Sequence, residues 1–448
     1  MLTSQQAAER ATALVERATR AGADAADAIY VANASTEVQI RLGKLEDVGR
    51  SEGEEIGLRF FVGHRVASVS SSDLSDTALT ALVERAAAMA REASEDIFAG
   101  LAPGDRLFRG EQPDLDSDDG GDPLPTALRT RAEEAEDAAR SIDGVTNSEG
   151  GSASAGRSVI ALATSHGFSG AYTSSGYSTS ASVIAGTGEG MQRDYASHSA
   201  RHESDMEAPS EIGRRAGTRA VARLNPTGVR SGVMPIVFDP RVSSGMLGHL
   251  VGAITGGAIT RGTSFLKDKL GAQIFASGVT ISDDPLRPRG RRSKPFDGEG
   301  LPTAPRDIVA DGVLTGWLLD SASARQLGLE PTGHASRGVG GPPGASTTNL
   351  YMHAGEVTPE ALMADIGEGL YVTELIGMGV NPVTGDYSRG ASGFHIVDGK
   401  IGAPAAEITI AGNLLEMFAA LRPADDLRFR TGVDAPTLRI DGMTAASA

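Results

Sequence analysis

The chain has no cysteine among its 448 residues, which removes disulfides, zinc–thiolate centres, iron–sulfur clusters and a cysteine nucleophile together. Any metal bound here would need histidine, aspartate or glutamate. No apolar run approaches the roughly 20 residues of a membrane span, and the amino terminus, MLTSQQAAERATALVERATRAG, lacks the continuous apolar core of a signal peptide. A cytoplasmic protein without a membrane partner is expected. Positive charge is also short: 41 Lys and Arg stand against 58 Asp and Glu, a net charge of −17. Such a balance repels nucleic-acid phosphates, so no direct nucleic-acid partner is expected. The one basic run, Arg287, Arg289, Arg291, Arg292 and Lys294, is interrupted by Pro and Gly and reads as a solvated loop.

What is present is a long chain with an apolar fraction of 40%, too long for one ordinary core. The spacing of Ala7, Ala11, Leu14, Val15 and Ala18 predicts a helix capped by Thr3 or Ser4 and ended by Gly22. Period two follows: Val38, Ile40 and Leu42 alternate with polar residues, and Ile56, Leu58 and Phe60 alternate with Gly57 and Arg59 before a Gly63-His64 turn. A second helix is expected from about Asp73. Residues 1–110 therefore form an α+β lobe. Residues 111–125 read as an acidic, solvated linker or loop; a calcium loop is excluded because Asp119 stands where glycine is needed and Pro125 where a bidentate glutamate should be. Residues 126–227 supply a helix, antiparallel strands with one polar face and another helix, completing the N-terminal and middle region. From 228 to 448, short strand candidates such as Val313–Leu319 and Pro436–Ile440 predict a β-rich C-terminal domain. The fold class is α+β, in two lobes.

The candidate chemistry is sparse. A zinc-peptidase helix needs two histidines on one face and a carboxylate to take a proton from the metal-bound water. His202-Glu203 has no second histidine at helical spacing and reads as a chance pair on a polar surface. The glycine runs 186–190 and 338–344 lack the following apolar helix of a phosphate loop or carry Pro342-Pro343, and read as turns. Ser392, His395 and Asp398 collect the residue types of a catalytic triad, but neighbours on a strand point alternately and seldom converge.

The blocks GMLGHLVGAITGGAI, PFDGEGLPT, RDIVADGVLTGWLLDSASARQLGL, TELIGMGVNPVTGDYSRGASGF and EITIAGNLLEMF, in this order, resemble the PmbA (TldE) branch of the TldD/PmbA family. The resemblance implies an N-terminal α/β lobe and a β-rich C-terminal lobe that pair with a TldD-type sister subunit in a heterodimeric metalloprotease acting on unfolded peptides. It further implies that the sister's H-E-x-x-x-H helix corresponds to residues 244–258 here, with Gly248, His249 and Ala253 in place of the three working residues. No catalytic residue, metal site or cofactor is then expected in this chain, and zinc is expected in the partner subunit. Gly256, Gly257, Asp386, Tyr387 and Arg389 are the candidates for lining a peptide chamber. The family's traditional name implies a second reading, a regulator acting on DNA gyrase through protein contacts. An autonomous hydrolase built on Ser392 or His395 is a third.

Overall fold

Thr3 and Gln6 exchange side-chain-to-backbone hydrogen bonds across one turn, a reciprocal cap that starts α1 (Ser4–Arg20). Its buried stripe is Ala7, Ala11, Leu14, Val15 and Ala18, as the periodicity requires. The computed structural model of the protein describes residues 1–447. After α1 come β1 (Ala25–Arg41), β2 (Lys44–Val62), β3 (Arg65–Ser71) and α2 (Asp76–Glu92), then α3 (Pro125–Arg140), β4 (Val145–Thr164), β5 (Ser169–Ala185), β6 (Gln192–Ala200) and α4 (Pro209–Ala222). The six strands form one antiparallel sheet in the order β3-β2-β1-β4-β5-β6. β1 pairs with β4 from Asp27↔Thr164 to Ile40↔Gly151. Residues on either side of segment 111–125 thus share a single sheet.

The four helices cover one face of this sheet, burying Ala26, Ala28, Tyr30 and Ala32 of β1 under α1 and α2 and Val38 and Ile40 against α3. Alternation turns Asp27, Ile29 and Val31 to the other face. That face is not left to solvent. Arg59, expected on the polar side of β2, is 5% exposed because the second lobe covers it.

The second lobe begins with β7 (Gly232–Phe238), α5 (Pro240–Ile254) and α6 (Gly256–Thr260). Short elements follow: β8 (Ile281–Asp283), β9 (Arg306–Ala310), β10 (Val313–Leu314), α7 (Ser321–Leu327), β11 (Ala335–Ser336), β12 (Gly344–Ala345), β13 (Leu350–Met352) and α8 (Pro359–Met363). The carboxyl-terminal part carries β14 (Glu368–Val380), β15 (Asp386–Val397), β16 (Lys400–Asn413), α9 (Leu414–Ala420), β17 (Leu421–Pro423), β18 (Val433–Asp434) and β19 (Leu438–Ser447). β16, β15, β14, β7 and β19 pair in that order, and β19 pairs back to β16, closing a ring that leaves no open edge among these five strands. β10, β9, β8, β13 and β18 make a second sheet. One core of Ile236, Phe238, Leu247, Leu250, Phe275, Phe418 and Ile440, among others, fills the lobe. The strand expected over 313–319 stops at Leu314, because the backbone of Leu318 pairs instead with Ile254 and Gly256 at the end of α5.

Two expectations about loops are corrected. Segment 111–125 is not a solvated linker but a strap held to the sheet: Leu115 is buried, Asp118 pairs with Arg157, and Asp119 accepts the Tyr177 hydroxyl at 2.8 Å. The basic run is not free either. Arg289 pairs with Asp116 of the strap and with Asp205, and Arg291 donates to the Ala200 carbonyl at 3.1 Å. Opposite charges that look like two unrelated solvated segments in the sequence hold each other across the fold. His202 belongs to the same clasp. It is 8% exposed, and its Nε2 lies 2.9 Å from the Asp116 carbonyl, so it is a buried pin rather than a surface residue.

Candidate functional site

α5 grows directly out of the central barrel strand β7. The Asp239 side chain accepts the Arg241 amide at 2.9 Å and Pro240 fills the first helical position, which fixes the start of the helix. Met246, Leu247, Leu250, Ala253 and Ile254 pack inward. Gly245, Gly248 and Gly252, three and four residues apart, share the opposite face, where a Cβ would meet nothing within 4 Å. The result is a stripe of bare backbone on a rigidly mounted helix.

His249 lies half-buried at the margin of this stripe, edge-on to the ring of Tyr387 with centroids 5.7 Å apart and planes at 83°. Burial, and then the nearby Arg389 charge, push its pKa below the ordinary imidazole value, so it is neutral at pH 7. Gly248 offers no side chain. Ala253 is buried, with its carbonyl accepting the Ser264 hydroxyl at 2.6 Å. Among the described residues no group of three His, Cys, Asp or Glu side chains is placed to hold a metal ion. One neutral imidazole does not fit a zinc ion, which takes three or four nitrogen, oxygen or sulfur ligands.

The other candidates divide. Tyr387 and Arg389, two apart on β15, lie on one side of the strand, and both act on His249. Tyr387 is 2% exposed, burial pushes its hydroxyl well above the usual phenol range, and its Oη has no partner. It backs His249 and is itself closed to solvent. Arg389 is half-buried and donates to the Ile376 carbonyl at 3.3 Å. Asp386 falls on the opposite side of the strand, exposed, and accepts the Thr384 hydroxyl at 2.6 Å. Gly256 is turned inward: its amide donates to Leu318 at 2.7 Å, and a Cβ there would stand 2.1 Å from Ser323 Oγ of α7. What approaches Gly256 is therefore this chain's own helix. The nearest atoms to a Cβ on Gly257 are those of the Arg261 tip, from 3.1 Å. Ser392 and His395 do not assemble into a triad. Ser392 is buried, with its carbonyl accepting from Thr373, while His395 Nε2 lies 3.0 Å from Thr227 Oγ1.

Three sequence profiles match in tandem: PmbA/TldA metallopeptidase domain 1 over residues 26–90, the central domain over 118–224 and the C-terminal domain over 231–447. The metalloprotease PmbA of Escherichia coli O157:H7 is 37% identical over 425 residues, covering 94% of this chain and 92% of that protein. The chain belongs to the PmbA branch of the PmbA/TldD metallopeptidase family. Solved structures agree in fold. A Bacteroides thetaiotaomicron protein described as a candidate modulator of DNA gyrase superposes with a TM-score of 0.92 at 26% identity, covering all of both chains. TldE from Thermococcus kodakarensis superposes with a TM-score of 0.86 at 20% identity, covering 99% of this chain and 100% of that one. As a PmbA-branch chain it has the family's two-lobed α+β architecture. Among its described residues no helix is long and apolar enough to cross a membrane.

Reading the sequence missed one cluster entirely. Asp27 of β1 accepts Arg59 Nε of β2 at 3.0 Å and Arg337 Nη1 of the β11–β12 loop at 2.5 Å, with all three side chains inaccessible or nearly so. Burial raises the Asp27 pKa, but the two guanidinium groups outweigh it and hold the carboxyl at about 2. The signal is an acid and a base at matching positions of two paired strands, Asp27 opposite Arg59, which shows only once the strands are in register.

Proposed function

We propose that this chain is the non-catalytic subunit of a two-chain metalloprotease, working beside a TldD-type subunit that holds zinc and cleaves unfolded peptides. The observation that carries the reading is α5. At the place of a metal helix the chain has Gly248 without a side chain, His249 neutral and packed on Tyr387, and Ala253 buried. No step of metal-dependent hydrolysis can be built on these atoms. What the helix offers is close backbone approach along Gly245, Gly248 and Gly252, the surface an extended peptide or a neighbouring subunit would use. Beside it, the β14–β15 hairpin exposes Ile376, Met378 and Val383, with Met378 90% exposed. Apolar side chains of this size on a projecting hairpin suit burial against a partner.

In this role the chain closes one side of a chamber, keeps folded proteins out and excludes water around the partner's reacting atoms. The gyrase reading draws its support from descriptions of structural neighbours such as the Bacteroides protein, and a net charge of −17 opposes direct contact with DNA. The autonomous-hydrolase reading lacks its base, since His395 Nε2 lies on Thr227 Oγ1 and makes no hydrogen bond to the buried Ser392.

Peptide hydrolysis by the chain alone, by a TldD-type partner alone and by the mixture tests the proposal. Activity is expected only where the partner is present, and substitution of Ser392 or His395 should leave the turnover of the mixture unchanged. Turnover by the isolated chain, abolished by either substitution, would refute it.

A further inference from the structure

The seam between the lobes opens as a groove in two adjoining parts, of about 500 and 240 Å³, that share His198, Ser199, Arg430 and Thr431. On one side is β6, an edge strand of the first-lobe sheet, with α4 beside it; on the other are the start of α5 and residues 426–435 of the second lobe. Nine arginines line the two parts against four aspartates, a local excess of positive charge in a chain whose net charge is −17. A cleft lined by one sign of charge focuses its field on ligands of the other.

These arginines outnumber their partners. Arg215 and Arg430 share Glu207, at 2.6 and 2.8 Å. Arg201, Arg219, Arg287, Arg291 and Arg428 make no ion pair within 4.0 Å among the described residues. Burial lowers the pKa of the first four, so they carry their charge at a cost that a bound anion would remove. Three of them keep donors open. Arg219 uses only Nη1, on the Tyr195 carbonyl at 3.2 Å, and Arg291 only Nη1, on the Ala200 carbonyl at 3.1 Å. Arg287 makes no hydrogen bond and lies over Phe429, 3.1 Å from the ring centroid. None of the free guanidinium nitrogens of these three is closed to solvent. His198 adds a donor: its Nδ1 accepts the Glu207 amide at 3.2 Å, and burial keeps its pKa below the ordinary value, so the neutral ring carries its proton on Nε2. The acids of the lining are engaged. Asp239 accepts the Arg241 amide and the Tyr371 hydroxyl, Asp426 the amide and hydroxyl of Thr437, and Asp434 the amides of Arg430 and Thr431, while Asp205 pairs with Arg289.

Tyr195 and Ala200 stand toward opposite ends of β6, about 17 Å apart at the usual rise per residue. The guanidinium groups anchored on their carbonyls are therefore strung along the strand rather than gathered on one point. The N-terminus of α5, which opens on the groove, is already filled by the Asp239 side chain. Such spacing suits several single carboxylates on an extended chain better than one phosphate. We propose that this groove binds an extended acidic peptide segment of about five residues, its carboxylates received by Arg219, Arg287, Arg291, Arg428 and Nε2 of His198. The inference goes beyond the proteolytic reading and does not rest on it, since the isolated chain carries the whole groove.

The test is fluorescence anisotropy of rhodamine-labelled Gly-Glu-Gly-Glu-Gly-Glu-Gly titrated with the full chain, beside the same peptide with Gln or Lys in place of Glu. The Glu peptide should bind roughly ten-fold more tightly than the Gln peptide and lose affinity as salt rises, and the Lys peptide should not bind. Arg219→Gln and Arg287→Gln together should weaken the Glu peptide about ten-fold. Arg428→Gln alters an exposed side chain that makes no hydrogen bond, and should weaken it about three-fold, which keeps the test intact if the double variant does not fold. Arg85→Gln, on α2 beside β3 at the opposite edge of the sheet, should leave the affinity unchanged. Equal affinity for the Glu and Gln peptides, no binding by folded protein, or as large a loss in Arg85→Gln as in Arg428→Gln would overturn the proposal. So would pyrophosphate binding more tightly than the Glu peptide and displacing it, which would mark the groove as a phosphate site.

Discussion

Replacing Glu299 with glutamine should make the protein more stable above neutral pH, a reversal of what loss of a buried charge near Arg59 would suggest. Glu299 is 3% exposed. Burial, reinforced by the charge of Asp297, pushes its pKa from an ordinary 4.5 to about 7, against the opposing pull of Arg59 and the Ser321 hydrogen bonds. The folded state therefore holds this proton more tightly than the unfolded chain does. Its contribution is present in full below pH 4.5 and is lost as the pH rises through 7. At about 1.36 kcal/mol per pK unit, a shift from 4.5 to about 7 amounts to roughly 3 kcal/mol between pH 4.5 and pH 8. Glutamine keeps an oxygen for Ser321 and never ionises. Urea unfolding of both proteins at several pH values isolates the effect, since every other titrating group is common to the two. The stability difference should move toward the variant by roughly 3 kcal/mol across that window. Parallel pH profiles, or a variant less stable at pH 8 than at pH 4.5 relative to the parent, would refute the reasoning.

Gly256→Val should lower stability by on the order of 3 kcal/mol, because its side chain would overlap Ser323; Gly257→Ala, which meets the movable Arg261 tip first, should change the melting temperature little. Thermal unfolding of the pair checks both. Tyr387→Phe removes a buried hydroxyl that bonds nothing and should be neutral or stabilising by about 1 kcal/mol; a loss of stability would mean that the hydroxyl has a partner. Arg289→Ala frees Asp116 and Asp205 together, and limited proteolysis should then cut within 111–122 sooner than in the parent.

The elements of the first lobe were legible because their signals are local. The Thr3 to Gln6 cap and the Ala7 to Ala18 stripe set α1 without help from the rest of the chain. Closure of the barrel was not, since the β16–β19 pairing joins Ile408 to Ser447 through a turn of structure that no periodicity records. Arg59 shows the same limit. Alternation places it opposite Leu58 and Phe60, but whether that side meets water depends on a lobe contributed by residues far along the chain. The acidic strap and the basic run failed for the complementary reason: each looks solvated alone, and only the fold brings Asp116 to Arg289. At α5 the sequence resemblance located the helix, and the structure supplied what letters could not, namely that Gly248 opens outward while Ala253 and Gly256 turn in.

Zinc stoichiometry of the isolated chain tests the account most directly. After loading with zinc and exhaustive dialysis, elemental analysis should find far less than one zinc per chain, the same for the parent and for His249→Ala, because Gly248, His249 and Ala253 offer a single imidazole where three or four ligands are needed. About one retained zinc per chain, lost on His249→Ala, would contradict it.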